Sequence, residues 1–293
     1  DKSLEPCARM PRGGFYFDSI VRQPPIDEDK LRVEDNLEEY TVLGAADLAH
    51  FRRRAEELRA TTDCAVMLIG VGTAFGDIAH VPGTPLRHPK GIRDIEEWYV
   101  SLMIRRDFIK EVFARQAETA VKNLALLWEA VGDRADVIYM SGTDFGTQNA
   151  PFLSVADYLD IYREPQKRLN DWVHEHTTWK TFQHTCGAIE PLIPHFIDAG
   201  FDILNPVQTS AAGMDARQLK QTYGDRTVFW GGGVDTQKTL PFGTPEEIRR
   251  QVRERFEIFA PGGGFVFNTV HNVQAGIPVE NLAALYEAVR ECR

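Results

Sequence analysis

A single-domain α/β barrel of the (β/α)8 type, the TIM barrel, is the fold this sequence predicts, and three observations predict it. Six short runs rich in Val, Ile and Phe recur along the chain, each ending in Gly, Asn or a polar cluster. Near-continuous apolar runs of this kind suit parallel strands buried on both faces. Most are followed by a segment of helical period, and such alternation implies right-handed βαβ units around a parallel sheet. At 293 residues the chain holds the six visible units and one or two less legible ones near its start, which suits a closed barrel better than an open sheet. No Ser/Gly-rich, Pro-rich or single-sign stretch is long enough to be a linker, so residues 1–293 are expected to form one domain.

The first 40 residues read as irregular. Gly13-Gly-Phe-Tyr-Phe17 and Arg22-Gln-Pro-Pro25 suggest a loop with aromatic anchors covering one barrel end. Asp1 is not a methionine and the opening Lys2-Ser-Leu-Glu-Pro-Cys7 does not read as a domain start, which leaves room for a segment upstream. Residues 45–58 form a helix whose wet face carries Asp47, Glu56, Glu57 and the run Arg52-Arg-Arg54. The strands fall at 64–72, 135–146, 179–187, 201–208, 227–235 and 264–271. Between the first two, residues 95–131 are helical with one break near Phe108. Residues 154–176 read as one amphipathic helix with Ser154 at its N-cap. The segment 190–199 opens with Pro191 in its first turn and stops at Gly200; 215–223 ends at Gly224. Thr244, Pro245 and Glu247 spell a capping box with proline at the first helical position, and Pro278 begins the last helix.

A net charge of −10 argues against a nucleic-acid surface, which needs a basic footprint to neutralise phosphates. Arg52-Arg-Arg54 and Arg105-Arg106 sit among acidic neighbours and read as solvated helix faces. The cysteines, at 7, 64, 186 and 292, show no paired spacing, so a disulfide framework is not expected and a reducing cytoplasm fits. No apolar run approaches the roughly 20 residues a spanning helix needs, so no membrane is expected either.

In a barrel of this kind the active site lies at the C-terminal strand ends. Those positions hold the glycine-rich stretch 70–76, Asp144, His184 with Cys186, Asn205 with Gln208, the stretch 231–235, and Asn268 with His271. In Trp179-Lys-Thr-Phe-Gln-His-Thr-Cys-Gly187 the imidazole and thiol are two residues apart. Residues i and i+2 of a strand share a face, so both can aim at one point, and a soft metal, zinc above all, accepts both. The plain alternative is a buried cysteine beside an ordinary histidine. Catalytic zinc commonly keeps three protein ligands and an open position, and His271 is the expected third, with Glu190 and Gln208 as alternatives. His271 could instead hydrogen-bond a substrate without metal. His50, His80, His88, His174, His176 and His195 have no partner at ligand spacing. Asp144, in Ser141-Gly-Thr-Asp-Phe-Gly-Thr-Gln148, reads as a ligand-orienting or acid/base group, or as a turn cap. Asn205 and Gln208 would offer neutral hydrogen bonds to a substrate. The triplet Gly231-Gly-Gly233, like 262–264, permits close backbone approach, and Gly232 and Asp235 complete the expected substrate contacts.

Several separated stretches together carry a resemblance. They are His184-Thr-Cys-Gly187, Phe196-Ile-Asp-Ala-Gly-Phe-Asp-Ile-Leu-Asn-Pro-Val-Gln208, Gly224-Asp-Arg-Thr-Val-Phe-Trp-Gly-Gly-Gly-Val-Asp235, Gly264-Phe-Val-Phe-Asn-Thr-Val-His271 and Ile277-Pro-Val-Glu-Asn-Leu282. From about residue 95 onward the chain resembles the uroporphyrinogen decarboxylase-like superfamily, which implies a TIM barrel. The decarboxylases of that superfamily use an N-terminal Arg-Gln-Ala-Gly-Arg motif to grip carboxylates, and this chain has none. At His184 and Cys186 it is similar to the corrinoid-linked methyltransferases, which use His-x-Cys and a later Cys as zinc ligands. The later Cys falls on His271, a departure that leaves the third ligand open.

The resemblance therefore implies zinc and a cobalamin cofactor, carried by a separate corrinoid protein, with methyl transfer to or from a small methylated substrate or a thiol acceptor. Zinc would hold a thiol as thiolate or polarise a methoxyl leaving group. Two other functions are kept open: a metal-free carboxy-lyase acting on a uroporphyrinogen-like tetrapyrrole through Asp144 and His271, and a non-catalytic barrel that binds a corrinoid or tetrapyrrole.

Overall fold

Each of the six apolar runs carries a strand in the computed structural model, which describes residues 6–14 and 17–292. The chain divides into two compact units, one made of residues 1–143 and 156–181 and the other of 144–155 and 182–293.

The first unit begins with a two-residue ribbon, β1 (Ala8–Arg9) against β2 (Asp18–Ser19), antiparallel with Arg9 opposite Asp18. Of the expected aromatic anchors, Phe15 and Tyr16 lie outside the described residues, as do residues 1–5. Phe17 is 68% exposed. Among the described residues the segment is fastened by arginines. Arg22 donates to the carbonyls of Pro82, Gly83 and Leu86, and buried Arg93 pairs with Glu39 while donating to the carbonyls of Asp35 and Lys90. Helix α1 (Ala45–Thr61) buries Ala55 alone, as its charged sequence predicts. Strand β3 (Met67–Ile69) runs parallel to β4 (Val137–Ser141), with Leu68 beside Ile138.

The long helical region breaks at Arg105, three residues before the expected place, giving α2 (Ile95–Ile104) and α3 (Arg106–Val131). The Arg105 guanidinium donates to Glu28 and Glu97, which holds the kink. Helix α3 buries Ile109, Val112, Phe113, Ala117, Ala120, Leu124 and Leu127, the three-and-four spacing of one apolar face. The expected helix over 154–176 is two: α4 (Val155–Ile161) and α5 (Arg163–His176) part at Tyr162. Pro165 has no N–H to offer the Ile161 carbonyl, so the ladder cannot run through.

The second unit contains the end of β5 (Lys180–His184), then β6 (Ile203–Asn205), β7 (Val228–Trp230) and β8 (Phe265–Val266), neighbours in that order and all parallel. The strands are shorter than the apolar runs because each run continues into the loop at its C-terminal end. Those loops carry the polar residues.

A 3-10 turn (Glu190–Leu192) with Pro191 leads into α6 (Ile193–Asp198), closed at Gly200. The Asp215 carboxylate caps α7 (Ala216–Tyr223) by accepting from the Gln218 amide. A short α8 (Thr239–Phe242) precedes α9 (Pro245–Phe259), where Thr244 and Glu247 form the capping box read from sequence. Helix α10 (Val279–Glu291) packs on it through Ile248, Val252, Ala284, Leu285 and Ala288. Among the described residues no helix is long and apolar enough to cross a membrane.

Candidate metal centre

The register of the second unit's sheet builds the site. Strand β5 pairs with β6 so that His184 lies beside Asn205, and the Thr185 amide donates to the Asn205 carbonyl at 2.8 Å. Two residues past the strand's last side chain, Cys186 returns to the same face, as the period of two requires. Its Sγ lies 3.5 Å from His184 Nε2. His271, in the loop after β8, completes the group, with its ring centroid 6.2 Å from that of His184. That loop is held by the Val270 amide donating to the Val234 carbonyl at 3.0 Å and by Thr269 Oγ1 donating to the His271 carbonyl at 2.6 Å. Ligand atoms of His184, Cys186 and His271 all lie within 4.8 Å of one another, the one such trio among the described residues.

The donor set and spacing fit zinc. Tetrahedral bonds of about 2.0 and 2.3 Å to nitrogen and sulfur put those two atoms about 3.5 Å apart, the separation found here. A pair at the 4.8 Å limit would have to close by roughly 1–1.5 Å to reach the same geometry. Glu190 is occupied elsewhere: its Oε1 accepts from the Tyr223 hydroxyl at 2.9 Å, and burial first, then this bond, pushes that phenol up to about 12.

Asn205 decides which nitrogen of His184 faces the group. Its Nδ2 donates to the Trp230 carbonyl at 2.8 Å, and a carbonyl can only accept, so the amide cannot be turned over. Oδ1 is thereby presented to His184 Nδ1 at 2.6 Å. The hydrogen-bond network assigns the proton to Nδ1 and leaves the Nε2 lone pair toward Cys186, an outer partner of the type that orients metal-binding histidines.

Asp144 is a turn-holding carboxylate as well as a charge near the group. Oδ1 accepts from the Cys186 amide at 2.7 Å and lies 3.9 Å from His184 Nε2. Burial, with the Asp144 charge second, pushes the Cys186 thiol far above its ordinary range, and a bound cation reverses that balance. His271 is lowered, by burial first and then by the charge of His184, so its imidazole is neutral near pH 7 and able to ligate.

The turn after β5 is held amide by amide. Besides Cys186 on Asp144, the Gly187 amide donates to Gln208 Oε1 at 2.8 Å and the Ala188 amide to the Thr147 carbonyl at 2.8 Å. Gly187 has φ +92°, and a Cβ there would fall 2.3 Å from the Gly146 backbone. A Cβ on Gly146 would in turn meet the Ala188 nitrogen at 2.8 Å. Two main chains touch where neither can carry a side chain.

The remaining expected contacts are placed differently. The triplet at 231–233 does permit close approach, but to protein: a Cβ on Gly231 would meet the Pro206 carbonyl oxygen, on Gly232 the Val207 carbonyl oxygen, and on Gly233 the Phe267 ring. Asp235 Oδ1 accepts from the Gln237 amide at 2.8 Å, capping the turn before α8. Gln208 spends its amide on Gly187 and Gln148.

Sequence reading gave no role to Gln148, the last residue of the stretch quoted for Asp144. In the first unit, Asp77 is a buried carboxylate accepting from the Ala79 amide at 2.8 Å. A Cβ on Gly142 would meet Tyr139 Oη at 2.5 Å and Asp77 Oδ2 at 2.8 Å, so these two polar atoms border the same spot. A lone Asp within an apolar, glycine-rich stretch was the available signal.

The family model described as uroporphyrinogen decarboxylase (URO-D) matches residues 17–292. Curated relatives include the uroporphyrinogen decarboxylases of Methylococcus capsulatus, 35% identical over 94 residues, and Thioalkalivibrio sulfidiphilus, 28% identical over 97 residues. Each match takes in 32% of this chain and only 25% and 27%, respectively, of the relative's length. Among solved structures, a methyltransferase from Methanosarcina mazei is similar with a TM-score of 0.59 at 17% identity, covering 87% of this chain and 69% of that one.

Proposed function

The chain belongs to the uroporphyrinogen decarboxylase family, and on that premise we propose that it is a zinc-dependent methyltransferase. In this reading it moves a methyl group between a small methylated substrate or thiol and a corrinoid carried by a partner protein. Its fold class is that of the family, an α/β (β/α)8 TIM barrel, and members of the superfamily are enzymes. We take the matched stretch as one such domain, and a cytoplasmic location, suggested by the free cysteines, belongs to the same reading.

One observation carries the proposal: a histidine nitrogen and a cysteine sulfur lie at zinc-ligand separation, with a second imidazole beside them. When bound, zinc would supply Lewis-acid activation of a thiol or methoxyl group. The chain's own residues do the rest. His184, Cys186 and His271 would hold the ion. Asn205 keeps the Nδ1 proton of His184 and so frees Nε2. Asp144 anchors the Cys186 amide and places a negative charge near the incoming group, where it orients a polar substrate.

Elemental analysis of protein purified without added metal tests the proposal. About one zinc per chain is expected in the wild type, lost in His184→Ala and Cys186→Ala and weakened in His271→Ala. Folded wild type that contains no zinc and takes up none in titration overturns the reading. The names of the curated relatives favour the second reading, a metal-free carboxy-lyase on a uroporphyrinogen-like tetrapyrrole, and that result would leave it standing.

A further inference from the structure

We propose that Gln208 is a positioning residue for Cys186, and that Gln148 holds Gln208 in that role; the proposal rests on reading His184 and Cys186 as metal ligands. Both glutamines lie at the mouth of the site, where side-chain amides are commonly read as substrate contacts. Their polar atoms are already engaged. The Gly187 amide donates to Gln208 Oε1 at 2.8 Å, Gln208 Nε2 donates to Gln148 Oε1 at 2.9 Å, and Gln148 Nε2 donates to the Ser210 carbonyl at 2.6 Å. The chain begins on a backbone N–H, which can only donate, and ends on a backbone carbonyl, which can only accept. Neither amide can be turned over without breaking it at one end.

What it restrains is the residue with the most freedom to lose. Gly187 sits at φ +92°, in a region only glycine enters readily, and glycine pays the largest backbone entropy on ordering. The sulfur of the preceding residue reaches His184 Nε2 only while this turn is fixed. Asp144 grips the Cys186 amide from one side and Gln208 grips the Gly187 amide from the other. The backbone that delivers Gln208 is itself strained: buried Val207 has φ +58°, a left-handed conformation unfavourable for a β-branched residue. Asn205, two residues earlier, turns to His184, so both halves of the His-x-Cys pair are held from the end of β6.

Three variants test this: Gln208→Leu, which loses both bonds; Gln208→Glu, which keeps an acceptor for Gly187 but loses the donor to Gln148; and Gln148→Ala. Zinc affinity by chelator competition is read beside the thiolate-to-metal absorption of the cobalt(II)-loaded protein and the thermal midpoint. Gln208→Leu is expected to lose about 10- to 100-fold in zinc affinity, the range for removal of an outer-sphere partner, and to weaken the thiolate band. Gln208→Glu and Gln148→Ala, which both keep the Gly187 acceptor and lose the bond between the two glutamines, fall between wild type and Gln208→Leu. A purely structural role predicts a lower midpoint with unchanged affinity and band, and that result overturns the proposal.

Hydrogen exchange at the Gly187 amide of the metal-free protein reads the clamp independently. It should quicken about two- to tenfold in Gln208→Leu and not in Gln208→Glu. Wild type that binds neither zinc nor cobalt defeats the metal reading, while an unchanged Gly187 exchange rate in Gln208→Leu defeats the clamp.

Discussion

Replacing Asn205 by leucine separates the two tasks of one side chain. Asn205 is 8% exposed and is bonded to His184 Nδ1 and to the Trp230 carbonyl. Leucine fills a similar volume and makes neither bond. The carbonyl of Trp230 is left without that donor, which costs the fold about 1–3 kcal/mol, the range for a buried group stripped of its partner. His184 is one-quarter exposed at its side chain and can turn to water, so little is added for it. Its ring is then free to rotate and to carry its proton on either nitrogen. Loss of such an outer partner lowers metal affinity about 10- to 100-fold, equivalent to about 1.4–2.8 kcal/mol. Asn205→Asp is the control. It still accepts from Nδ1–H but sets a carboxylate oxygen against the Trp230 carbonyl, so zinc affinity stays at or above wild type while the fold weakens. Chelator competition gives the affinity and urea unfolding of the metal-free protein gives the stability. The reasoning is refuted if Asn205→Leu binds zinc as tightly as wild type, or if Asn205→Asp loses affinity as leucine does.

The imidazole of His271, observed by NMR in the metal-free protein, is expected to titrate below the ordinary value of about 6.5. Between the two midpoints the unfolded chain binds more protons, so this group's contribution to stability is full above 6.5 and is lost as pH falls through the folded value; a midpoint at or above 6.5 contradicts the cause assigned, burial beside His184. Gly187→Ala adds a Cβ 2.3 Å from the Gly146 backbone at φ +92°, so denaturant unfolding should show a loss beyond the roughly 1–3 kcal/mol of a strained backbone alone. An unchanged midpoint would mean that the two loops can part. Thr244→Ala removes one half of the α9 capping box at a cost of about 1 kcal/mol, read in the same assay and without effect on zinc content.

What could be read from the chain beforehand was what is encoded locally. The strands announce themselves because parallel strands buried on both faces are apolar throughout, and the ends of α7 and α9 because Asp215, Gly224, Thr244 and Glu247 act within one helical turn. The division of residues 154–176 was also written locally, in Pro165, but the amphipathic pattern continues across the break and masked it. At the site, His184 and Cys186 were legible from a spacing of two on a strand, and His271 from its place at a strand end. Partnerships across the sheet were not. Asn205 and Gln208 are both polar residues after β6, and nothing in their order says that one faces an imidazole and the other a glycine amide. That assignment depends on the register of β5 against β6 and on the left-handed backbone at Val207. The glycine triplet is legible only in part for a related reason: composition signals that something comes close, and the neighbouring chain at Pro206 and Phe267 says which protein atoms do.

The three consecutive amides of Cys186, Gly187 and Ala188 have a consequence for the charge of whatever enters. A glycine turn at a strand end is a familiar cradle for anions, its N–H groups converging on an incoming oxygen. Here each of those groups already has an acceptor, in Asp144, Gln208 and Thr147. The turn is electrically closed. A guest that brings or develops negative charge beside Cys186 finds no main-chain donor there and meets the Asp144 carboxylate instead, so any neutralisation must come from a cation held by the side chains. The Asp144 carboxylate that holds the Cys186 amide therefore also biases the site toward neutral or positively charged guests, a selectivity that follows from how the amides of the turn are capped.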